Sequence, residues 1–157
     1  MRGPAAPVAR TELAEFLRSG VSLAAVTRDD RMIVEITRCG GARQGSDGRI
    51  WVAVPLPEGK RTLTNVEATR VIALSAAYPL DYRTVQLKGS DAQRVEWPEL
   101  AQVTLEHRQR MADVLASLGT PHAPEHLWSR DFAAVVFTPD EMYDQTPGPQ
   151  AGLALAP

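Results

Sequence analysis

The stretch "DYRTVQLKG", Asp81 to Gly89, alternates like a half-buried strand, yet its polar face carries Tyr82, Thr84, Gln86 and Lys88 in succession. That set supplies hydrogen-bond donors, acceptors and a cation, more than a solvated face requires. Hydroxyl and cationic residues recur where strands end and helices begin. Thr37 and Arg38 close one β-like run, Lys60, Arg61 and Thr62 precede or open a short helix, and Arg83, Thr84 and Gln86 share the strand with Lys88. A dianionic phosphate suits such a setting: helix N-terminal amides donate to it, Arg offers a bidentate fork and Thr adds a hydroxyl. The pattern points to an anionic ligand. Strict alternation turns Val85 and Leu87 inward and Thr84, Gln86 and Lys88 outward, leaving Arg83 on the inward side unless the strand twists there.

Other chemistries find little support. "GARQGSDG" lacks the G-x-G-x-x-G spacing and leads into a strand, so it reads as a turn and not a dinucleotide loop. "PEGKRT" lacks the first glycine of a phosphate loop, and Arg61 stands where Ser or Thr would hold magnesium. His122 and His126 are spaced to share a metal on a helix, but Pro124 lies between them. His107 falls on an apolar helical stripe, where a packed histidine bonded to backbone is expected before a catalytic base. The carboxylates form no pair suited to acid/base work. Cys39, the single cysteine, has no partner for an internal disulfide and reads as a structural thiol.

The elements that must position these residues follow from periodicity and punctuation. "RTELAEFLRSG" predicts a short helix with Thr11 as N-cap and Gly20 as stop, and "VSLAAVTRDDRMIVEIT" predicts a hairpin. Ile50 to Val54 give a third strand ended by Pro55 and Pro57, "GKRTLTNVEATR" a short helix, and "VIALS" a fourth strand. "YRTVQLKGSDAQRVE" is a long fifth strand with Gly89 placed for a bend or bulge. From Pro98 to Leu118, apolar residues at 100, 103, 107, 111, 114, 115 and 118 mark one face of a helix, ended by Gly119, and "DFAAVVFTP" is the sixth strand. The expected architecture is mainly β, a six-stranded antiparallel barrel with flanking helices.

The 157 residues fit one domain, with residues 1–9 and 147–157 as irregular termini. Hydrophobic residues make up 44% and charged residues 23%, with a net charge of -2, a balance that gives no reason to expect nucleic acid or a membrane as partner. No apolar run reaches the ~20 residues of a membrane helix and "MRGPAAPVAR" lacks the apolar core of a signal peptide, so a cytoplasmic protein is expected.

The order of elements and the wording of "ELAEFLRSGVSLAAVTRDDRMIVEITRCGGA", "DGRIWVAVPLPEGKRTLTNVEATRVIALS", "DYRTVQLKG" and "TPGP" resemble the FMN-binding split-barrel flavoproteins related to pyridoxamine 5'-phosphate oxidase. The resemblance implies a split barrel, a homodimer with flavin mononucleotide at the subunit interface, and an oxidoreductase acting on a small substrate with a reduced nicotinamide or small organic donor. It assigns Thr37 and Arg38 to the strand-two segment near the cofactor, Val54 and Pro55 to the strand end beside the flavin ring, and Lys60, Arg61 and Thr62 to the phosphate. Arg83, Thr84 and Gln86 would hydrogen-bond the isoalloxazine or ribityl groups. A dimer is also expected because a cofactor lying on a barrel surface needs a second wall to exclude water. Authentic pyridoxamine phosphate oxidases carry a longer basic run at the end of strand two and an Arg-rich C-terminal segment. Here "MIVEITR" and "TPGPQAGLALAP" offer neither, so vitamin B6 oxidation is not supported. A non-catalytic flavin-binding or storage protein, and a split barrel using the deazaflavin F420 or haem, remain as alternatives.

Overall fold

The computed structural model describes residues 5–120 and 131–155. A 3-10 turn at Arg10–Glu12 runs into α1 (Leu13–Arg18). Its cap is Ala9, whose N–H donates to the Glu12 carboxylate at 3.0 Å, so Thr11 lies inside the turn and does not cap it. Next come β1 (Ser22–Arg28) and β2 (Val34–Arg38). The turn between them closes because the Asp29 carboxylate accepts from the Arg31 and Ile33 amides at 3.0 and 2.8 Å. β3 (Gly41–Gln44), β4 (Ile50–Leu56), α2 (Lys60–Thr69), β5 (Ile72–Ala77), β6 (Thr84–Gly89) and β7 (Gln93–Val95) follow, then α3 (Leu100–Ser117), β8 (Asp131–Phe137) and β9 (Glu141–Asp144).

Two antiparallel sheets result. One has the order β2-β1-β5-β6-β9 and the other β3-β4-β8-β7. Alternation along each strand supplies their common core: Leu23 and Ala25 of β1, Leu74 of β5, and Val85 and Leu87 of β6 meet Ile50, Val52 and Val54 of β4 and Val135 and Phe137 of β8. Leu13, Phe16 and Leu17 of α1 and Leu63 and Val66 of α2 join the same cluster. The opposite face of the four-stranded sheet is covered by α3 through Val103, His107, Met111 and Val114, four positions of the expected stripe. The expected split β-barrel therefore stands, as two sheets that do not close into one cylinder.

Among the described residues there are nine strands, including the six expected. The fifth expected strand divides at Gly89. A Cβ there would stand 2.6 Å from the Phe137 ring, so only glycine lets the chain leave one sheet and cross to the other as β7. "GARQ", read as turn, pairs with β4 from Gly41↔Ala53 to Gln44↔Ile50, and the turn shrinks to residues 45–49. "EMYD" adds β9, paired with β6. No described helix is long and apolar enough to cross a membrane.

Candidate functional site

The sequence-selected residues fall into two groups. The first forms where β4 runs into α2. The Gly59 N–H donates to Pro55 O at 2.8 Å, and the Lys60 N–H to Pro57 O at 3.1 Å, so the helix begins almost against the strand end. A Cβ on Gly59 would collide with Val54 and stand 2.6 Å from Pro55 O, so the close approach requires glycine. This places Thr62, fully buried, with its hydroxyl 2.6 Å from that of Thr37. α2 is further pinned to β1 by Asn65 Nδ2, which donates to Thr27 Oγ1 at 3.1 Å. Thr37, Val54, Pro55 and Thr62 are thus brought together as buried bracing. Arg38, Lys60 and Arg61 are exposed cations of this corner, Glu58 is an exposed carboxylate beside them, and α2 carries no acidic residue in its first turn. Arg61 Nε lies 3.7 Å from Glu35 Oε2, a loose exposed pair.

The second group lies on the outer face of the five-stranded sheet. Pairing registers set Arg38, Ala24, Ser75, Gln86 and Tyr143 in one row across five strands. Neighbouring strands are about 4.8 Å apart, so Arg38 and Gln86 stand about 14 Å from one another. Ala24, Ser75, Ala73 and Ala77 make the middle of the face flat. Gln86 sits on this face as alternation requires, and Thr84 lies beside it with its hydroxyl donating to Tyr82 O at 2.9 Å. Arg83 does not join them. Its Nε donates to Asp81 Oδ2 at 3.0 Å and its guanidinium lies 5.5 Å from the Phe16 ring centroid, on the inward side.

Sequence reasoning missed Ser75 and Tyr143. Ser75 could have been found as the outward position of "VIALS", whereas Tyr143 lies in a four-residue strand too short to read. The Tyr143 hydroxyl donates to Glu141, which raises its pKa, and Lys88 Nζ lies 4.6 Å from the ring centroid. A cavity of about 330 Å³ opens at this end of the face, with Val26 and Ala73 in its floor and Lys88 and Glu141 at its rim.

Two residues read as structural are placed accordingly. Cys39 is buried, and burial pushes its thiol up to about 12. His107 packs between α3 and the four-stranded sheet, where burial first and the Arg43 guanidinium second lower its pKa to about 4. His122 and His126 lie outside the described residues.

No family model and no curated protein matches the chain. Solved structures do. HupZ of Group A Streptococcus aligns at 13% identity over 90% of this chain and 98% of its own, with a TM-score of 0.56. HutZ, the heme storage protein from Vibrio cholerae, aligns at 15% identity over 88% and 95%, with a TM-score of 0.52. A pyridoxamine 5'-phosphate oxidase-related, FMN binding protein from Nostoc punctiforme aligns at 13% identity over 98% of both chains, with a TM-score of 0.52. Coverage of nearly the whole of each partner means that the likeness extends over both sheets, and the chain has the split-barrel fold of the pyridoxamine 5'-phosphate oxidase-related proteins.

Proposed function

We propose that the chain is an FMN-binding oxidoreductase that acts as a homodimer, with the cofactor held between subunits on the outer face of the five-stranded sheet. The observation that carries this reading is the convergence of two segments distant in the chain, 37–38 and 54–62, on one corner of the fold. Three cations, Arg38, Lys60 and Arg61, are exposed there against one exposed carboxylate, Glu58, beside the positive end of a ten-residue helix. That corner suits a phosphate, and the flat row of Ala24 and Ser75 between Arg38 and Gln86 suits a planar ring with hydrogen-bonding edges. When bound, flavin supplies the hydride and electron chemistry. The chain's own residues bind and orient it: Arg38, Lys60 and Arg61 at the phosphate, and Thr84 and Gln86 at the ring or ribityl chain. Thr37 and Thr62 hold the helix start against β2. A second subunit excludes water from the face.

The substrate is a small molecule, and the electron donor a reduced nicotinamide or a small organic molecule. The heme storage protein among the matched structures raises haem as a rival ligand. Here His107 is enclosed beneath α3, on the far side of the sandwich from Gln86, and does not serve as an axial ligand on that face. Absorbance of the purified protein, followed by titration with flavin mononucleotide, tests the reading. Flavin bands are expected, together with an affinity that drops at least tenfold, about 1.4 kcal/mol, in the Lys60→Ala/Arg61→Ala double variant. A haem spectrum, or no response to flavin, would overturn it. Reduction of bound flavin by nicotinamide separates an oxidoreductase from a storage protein.

A further inference from the structure

On the outer face of the four-stranded sheet, away from Gln86, Trp51 stands opposite Arg43 in the β3–β4 pair. Trp97, in the segment leading into α3, packs against it with ring centroids 5.6 Å apart and planes tilted by 40°. Both indoles are only half-buried, and they wall a groove of about 510 Å³, a size typical of small-molecule sites. The facing wall is a hydrogen-bonded polar network centred on Arg43, the least exposed of its members. Glu106 accepts from Arg43 Nη2 at 2.6 Å and from Gln102 Nε2 at 2.9 Å, and Arg18 Nη2 lies 4.0 Å away. Arg43 is held from its other side by donation to Ala42 O at 2.9 Å.

The charges lining the groove nearly balance: Arg18 and Arg43 face Asp47, Glu99 and Glu106. An anionic phosphate would meet three carboxylates and a bare ammonium two guanidinium groups, so neither is favoured. A neutral ligand with one apolar face and many hydroxyls meets no such conflict. The indole faces take its C–H surface, and planar groups set in advance offer both donors and acceptors: the Gln102 carbonyl, the remaining Glu106 lone pairs and the exposed Arg18 fork. We propose that this groove is a binding site for a neutral saccharide, separate from the face where the cofactor is placed.

The test follows the indole N–H signals of Trp51 and Trp97 by NMR in the full-length protein, assigned with Trp51→Phe and Trp97→Phe. Maltotriose, cellotriose and triacetylchitotriose are each titrated to about 10 mM, enough to occupy a millimolar site. Both signals should shift with at least one trisaccharide. Gln102→Ala, an exposed helix substitution that leaves the fold intact, should weaken that binding about tenfold. Absence of a shift with all three sugars overturns the proposal, as does a shift produced by adenosine monophosphate or tetramethylammonium in their place. An affinity unchanged by Gln102→Ala also overturns it. Because the readout is local to Trp51 and Trp97, it stands or falls independently of flavin binding.

Discussion

Gly59→Ala places a methyl group against Val54 and 2.6 Å from Pro55 O at the start of α2. Overpacking of this kind costs about 1–3 kcal/mol, so urea titration should show that loss together with weakened flavin binding. A second residue-scale expectation concerns acid. His107 titrates at about 4 in the folded protein against 6.5 ordinarily, because burial and Arg43 disfavour its charged form. Below pH 6.5 the unfolded chain takes up a proton that the folded chain refuses. Its contribution is therefore complete above 6.5 and is lost as pH falls toward 4, a span of about 3 kcal/mol. Denaturant titrations at several pH values should show this slope, and His107→Leu should flatten it between those limits. At this scale the sequence was informative where alternation fixes direction: Val85 and Leu87 inward, Gln86 and Lys88 outward. It could not show that the Thr37 and Thr62 hydroxyls bond each other, because a contact 25 residues apart in the chain depends on packing that no local pattern encodes. Nor could it reveal that Asp81 holds Arg83 against Phe16.

Among the elements, the passage from β6 to β7 is the one most sensitive to a single atom. Gly89→Ala should destabilise the fold by about 2 kcal/mol, measured by thermal or urea unfolding, since the new methyl group meets the Phe137 ring and the Thr138 carbonyl. The neighbouring Asp91 carboxylate, which accepts from the Thr138 amide and hydroxyl at 2.7 and 2.6 Å, anchors the same passage. Long apolar or β-branched runs made β1, β4, β5 and β8 legible, and helical period gave α3. β3 and β9 were not, for a physical reason, and β7 was legible only as the far end of one long fifth strand. β3 and β9 are each four residues long, rich in polar or glycine positions, and become strands only because a neighbour offers them an edge.

For the molecule as a whole, the outer face of the five-stranded sheet ends in an apolar border, with Met32, Ile33, Val34 and Ile36 between 44 and 67% exposed. A patch of this kind next to a flat sheet face matches the proposed contact with a second copy. Light scattering should therefore give a dimer, and Ile36→Lys, which adds a charge without disturbing the core, should shift it toward monomer and lower flavin affinity with it. A wild-type monomer that still binds flavin would refute this part of the reading. The chain's run through Gly89 has one more consequence. β6 and β7 are joined by a three-residue link, yet they hydrogen-bond in different sheets, so neither sheet can come apart without pulling on the other. The sandwich should behave as a single unfolding unit, in which the slowest amides of both strands exchange their hydrogens with the same free energy and no half-open form accumulates.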